Sequence, residues 1–143
     1  MADVLRNDVL VVAVLAWLLA QLSKLLIVLL RERQLQLGYL TSAGGMPSSH
    51  SAVVVALATR IGIEAGLGSI AFALAVIFAG VVLYDAAGVR RAVSVQARIL
   101  NRMLEEVFEY QRFNEKRLLE LLGHTPFEVF VGSLLGLLVA LSW

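Results

Sequence analysis

The chain of 143 residues contains two histidines, His50 and His124, and each stands where a helix should begin. His50 follows Pro47-Ser48-Ser49, and His124 precedes Thr125-Pro126-Phe127-Glu128. Serine or threonine caps and a proline in the first turn are helix-start signals. A helix start leaves backbone N–H groups unsatisfied and carries the positive end of the dipole. Two such ends on one face, each with a histidine, suit an anion such as phosphate, though the same backbone could equally hold a sulfate or a carboxylate. A neutral imidazole is also a competent nucleophile, acid or base near pH 7. Spacing alone lets either ring take either role.

Cations complete the pattern. Lys24 interrupts an apolar run, and Arg31 follows seven residues later on nearly the same helix face. A charge inside a span is costly unless it faces a cavity or a partner. Snorkelling is the alternative for Lys24, but Gln21 on the same stripe favours a polar cavity wall. Arg90 and Arg91 stand with Asp85 in the stretch YDAAGVRR, where Asp85 can also simply pair with one of these arginines. Ser48 and Ser49 offer hydroxyls or an ordinary cap, Gly45 a close backbone approach, and Thr125 a cap for the next helix. Thr125-x-x-Glu128 is a capping box that needs no activity to explain it.

These residues need elements to position them. The chain is 59% hydrophobic and 16% charged, with a mean hydropathy of +0.84, against about 45–50% and about 25% in soluble domains. Lipid must therefore act as part of the solvent. The first apolar run is too long for the roughly 7–15-residue core of a secretory signal, and a bilayer core needs about 20 helical residues. The expected fold is all-α: one domain over 1–143, a polytopic membrane bundle of about four spans at 9–30, 48–63, 67–84 and 126–143. Gly62, Gly66 and Gly68 should turn the chain between the second and third. An amphipathic segment over about 90–122 should lie at the membrane surface or pack on a neighbouring subunit.

The positive-inside tendency puts the Arg31 and Arg90–Arg91 loops in the cytoplasm, so GGMPSSHS, YDAAGVRR and GHTPFE should meet at the cytoplasmic face of the cell membrane. A net charge of +1 gives no reason to expect nucleic acid, and the absence of cysteine excludes thiolate chemistry. The basic residues around the histidines argue against a metal, and no cofactor is implied. Ala71, Ala75, Ala79 and Gly80 offer a packing face for a homodimer.

At these residues the chain resembles a divergent branch of the type 2 phosphatidic acid phosphatase and vanadium-dependent haloperoxidase superfamily. That superfamily carries K-x6-RP, PSGH and SR-x5-H-x3-D. Lys24-x6-Arg31 matches the first with Glu32 in place of proline, and Pro47-Ser48-Ser49-His50 matches the second with Ser49 in place of glycine. His124-x3-Glu128 matches the end of the third with glutamate in place of aspartate, while Leu118 stands where its arginine belongs.

The resemblance implies a metal-independent lipid phosphatase in which His124 attacks phosphorus, Glu128 supports the ring, and His50 serves as acid and then base. Lys24, Arg31 and one of Arg90 and Arg91 would bind the phosphoryl oxygens, with Arg90 or Arg91 replacing the lost arginine. The substrate would be a lipid phosphate monoester or pyrophosphate such as phosphatidylglycerophosphate. The alternatives are a non-enzymatic membrane protein that retains an anion site, or a small oligomeric transporter.

Overall fold

The computed structural model describes residues 6–33, 45–107 and 124–143, and these form five α-helices with no strand among them. They are α1 (Asp8–Glu32), α2 (Ser49–Ala65), α3 (Ile70–Ala87), α4 (Val89–Val107) and α5 (Pro126–Ser142). Helices α1 and α3 are long and apolar enough to cross a membrane, and α5 is a shorter apolar helix of 17 residues. The amphipathic segment is helical as far as Val107; its expected continuation to 122 lies outside the described residues.

The caps come from the local sequence. Asn7 accepts from Leu10 N–H at 3.1 Å to start α1, and Arg33 closes it in the left-handed region at φ 52°. Ser48 caps α2, Ser69 caps α3 and Thr125 caps α5. Gly66, at φ 84°, takes the chain out of α2 in a conformation that favours glycine. Gly62, by contrast, is not part of that turn: it lies within α2, where a β-carbon would press on the Phe72 ring. It is a packing glycine, and the turn belongs to the residues after it.

Helix α2 is the centre of the bundle, packed against α1, α3 and α5. Its contacts fix every direction. Lys24 meets Ser49 at one end, and Asp8 meets Arg60 at 3.6 Å at the other, so α1 and α2 are antiparallel. Phe72 lies over Gly62 while Ala86 reaches His124, which makes α3 antiparallel to α2 as well. Gly132 lies on Ser48 and Gly136 on Ala52, so α2 and α5 run parallel in a fixed register.

Small residues at four-residue spacing make this packing possible. Val12, Ala16 and Ala20 of α1, Ala52 and Ala56 of α2, and Ala140 of α5 form one buried cluster. Gly132 and Gly136 extend the α5 stripe, and a β-carbon on either would run into the α2 backbone. The larger apolar side chains point outward: Leu30 is 71% exposed, Ile77 69% and Phe130 65%. A water-soluble core has the opposite arrangement. Within lipid, where burying leucine gains little, helices associate through small residues that let backbones approach.

Ala75 and Ala79 are buried against Val54 and Ala58 of α2. They are thus already used within the chain, which removes them from the expected dimer face; Ala71 and Gly80 remain exposed. The reason is periodic: α3 presents one stripe of small residues, and α2 covers it.

Candidate functional site

The small-residue stripes become polar at one end of the bundle. On α1 the series Val12, Ala16, Ala20 continues to Lys24. On α5 the series Ala140, Gly136, Gly132 continues back to Glu128, and on α2 Ala56 and Ala52 lead to Ser48. Residues four apart share a helix face, so the faces that pack the bundle also aim these side chains at a common point. The C-terminal ends of α1 and α3 and the N-terminal ends of α2 and α5 all meet there.

Two backbone bonds tie that end together. Ser48 N–H donates to the Glu128 carbonyl at 3.1 Å, and His124 N–H donates to the Ala86 carbonyl at 3.3 Å. The second places His124 beside the last turn of α3. Lys24 is 2% exposed and its Nζ donates to Ser49 Oγ at 3.3 Å. Ser51 Oγ donates to Ser48 Oγ at 2.9 Å, a hydroxyl pair that the sequence reading omits. The Ser-x-x-Ser spacing at a helix start was its available signal.

The histidine rings lie with centroids 5.9 Å apart and planes at 60°. His124 is 1% exposed, and its Nδ1 is 3.4 Å from Glu128 Oε2. That same oxygen accepts from Thr125 N–H at 2.8 Å, while Thr125 Oγ1 accepts from Glu128 N–H at 3.3 Å. The carboxylate oxygen that completes the capping box of α5 is thus also the one that stands 3.4 Å from the His124 ring.

Beside these groups is a cavity of about 300 Å³. Lys24, Arg31, Thr125 and Glu128 supply its polar lining; Ile27, Val28, Met46 and Phe127 supply an apolar wall, and Gly45 closes it. Gly45 is at φ 90°, and a β-carbon there would approach the Lys24 side chain at 4.0 Å. The apolar wall is absent from the sequence reading, although Ile27 and Val28 are three and four residues beyond Lys24 and so share its side of α1. Arg90 and Arg91 fall in the first turn of α4, and their side chains lie outside the described residues. Among the described residues, no group of three or more His, Asp or Glu side chains is placed to hold a metal ion. Lys24 and Arg31 line the cavity at the end of the bundle where the N-termini of α2 and α5 also lie.

Comparison with known proteins shows the family. Residues 5–139 match the Divergent PAP2 family. The chain belongs to that family. It is also 40% identical to the uncharacterized membrane protein YuiD of Bacillus subtilis (strain 168), over 97% of this chain and 95% of the relative. No solved structure matches. The relative's description as a membrane protein is consistent with the outward-facing leucines of this bundle.

Proposed function

We propose that this protein is an integral membrane phosphatase that hydrolyses a lipid phosphate monoester or pyrophosphate through a phosphohistidine, without a metal. The observation that carries the reading is the convergence of His50, His124, Glu128 and Lys24, from three helices, on one end of the bundle. In the first step His124 Nε2 bonds to phosphorus as the P–O bond to the alcohol breaks, and His50 gives its proton to the leaving alkoxide. Glu128, at Nδ1, stabilises the imidazolium that forms. In the second step His50 takes a proton from water, whose oxygen attacks phosphorus and releases His124 and phosphate. Lys24 and Arg31, with Arg90 or Arg91, hold the phosphoryl oxygens, whose charge peaks in the transition state.

The cavity's mixed lining supports an amphiphilic substrate such as phosphatidylglycerophosphate, its headgroup against Lys24 and Arg31 and its glycerol side against Ile27, Val28 and Phe127. In this reading α1, α2, α3 and α5 are the four spans, and the site faces the cytoplasm. Helix α4 rests on the leaflet surface, and a second copy completes a homodimer.

The test is phosphate release from a panel of lipid phosphates by purified protein, with His124→Ala and His50→Ala as comparisons. Wild-type release abolished in both variants supports the proposal. No release from any lipid, or release unchanged in the variants, overturns it and favours a membrane protein that only binds an anion.

A further inference from the structure

Ser49 stands where the resemblance leads one to expect glycine, and its hydroxyl has a specific neighbour. Lys24 Nζ donates to Ser49 Oγ at 3.3 Å, from one helix to the next, with both residues buried. Lys24 lines the cavity while Ser49 stands outside that lining. The hydroxyl therefore reaches any anion in the cavity through the ammonium. Ser49 is in turn held by its own position: Ser48, immediately before it, is bonded to the Glu128 carbonyl and packed on Gly132.

We propose that Ser49 is a positioning residue for Lys24. It fixes the ammonium toward the cavity and so sets the affinity of the site for a phosphate-like anion. A lysine has four rotatable side-chain bonds and a point charge. An ammonium at a helix interface has several rotamers to choose from, and only some reach the cavity. By accepting one of the three N–H bonds, Ser49 leaves the others directed elsewhere and removes part of the entropy cost of binding. The serine also keeps its own O–H as a donor, so the pair can polarise each other. The inference rests on the phosphate-site reading above, but it concerns binding and does not require turnover.

The test is a double-mutant cycle read by orthovanadate affinity, with wild type, Ser49→Ala, Lys24→Met and the double variant in one detergent, alongside the thermal midpoint of each. Ser23→Ala is the control, since Ser23 Oγ donates to the Leu19 carbonyl of its own helix. A hydrogen bond to a charged group corresponds to roughly a tenfold to hundredfold change in binding. Ser49→Ala should weaken orthovanadate by that factor when Lys24 is present and by less than about twofold in the Lys24→Met background. Where a lipid phosphate is turned over, kcat/KM should fall by the same factor. An equal loss in both backgrounds, or no loss, would overturn the proposal. If the wild type binds no orthovanadate, the phosphate-site reading falls and takes this inference with it. Coupled binding without hydrolysis of any lipid would leave Ser49's role standing and overturn the phosphatase.

Discussion

Replacing Gly132 with alanine tests whether the packing of two helices holds the site. The added β-carbon would meet the backbone of Ser48, its carbonyl oxygen first and then its nitrogen and carbonyl carbon. An ordinary C···O approach is about 3.3–3.6 Å, and the new contact falls roughly 1 Å inside that range, so α2 and α5 must part by about that much at their first turns. Neither clashing partner is a flexible side chain, so the structure cannot yield locally. Overpacking of this kind costs about 1–3 kcal/mol. Helix propensity returns about 1 kcal/mol on replacing glycine by alanine, leaving a net loss of about 2 kcal/mol at the severe end.

Gly80→Ala is the matched control, because a β-carbon there meets nothing within 4 Å. The propensity gain is common to both variants, so they should differ by the overpacking cost, about 1–3 kcal/mol in unfolding free energy, measured by titration with denaturing detergent. Activity should fall further than stability. Ser48 is next to Ser49 and two residues from His50, and a displacement of about 1 Å in a catalytic group costs on the order of a hundredfold in rate. Gly136→Ala, which presses on Ala52 one turn deeper, should match the stability loss with a smaller loss of phosphate release. A Gly132→Ala protein as stable as Gly80→Ala and as active as the wild type would refute the reasoning.

Three further outcomes follow from the same structure. Glu128→Gln keeps a capping-box side chain and removes the charge from His124, so its thermal midpoint should stay near wild type while phosphate release falls about 10²–10⁴-fold; Thr125→Ala should instead cost about 1 kcal/mol of stability, and matching effects on the two readouts would contradict the separation. Single cysteines at Arg33, the C-cap of α1, and Ser69, the N-cap of α3, flank α2 along a chain without native cysteine; they should react with impermeant reagents from opposite sides of the membrane, and labelling from one side would remove α2 as a span. Nitroxides at Ile99 and Met103, both about half exposed on α4, should sit deeper in the leaflet than one at Arg98 by depth-dependent quenching, and equal depth would rule out an interfacial helix.

How much of this was legible beforehand can be followed residue by residue. The helix starts at Ser48 and Thr125 were readable because caps act over three or four residues, as was the stripe from Lys24 to Arg31, which needs only the helical period. The meeting of the three motif clusters followed from alternating span directions. Gly62 was misassigned because a packing glycine and a turn glycine look alike until the facing Phe72 is placed. Ala75 and Ala79 read equally well as a face for a partner copy for the same reason, since a stripe of small residues does not name the helix that covers it.

By itself the sequence showed a chain too apolar for a soluble domain and helical in period, and it singled out two histidines, a lysine within an apolar run and a glutamate in a capping box as candidate site residues. Composition, periodicity and capping are local properties, and local properties are written in order along the chain. Only the tertiary structure decided that α2 is central, that Gly132 lies on Ser48, that Ser49 is the neighbour of Lys24, and that Glu128 both caps its helix and faces His124. Each of these depends on the register between two helices, set by which small residues interlock, and that is a property of the pair.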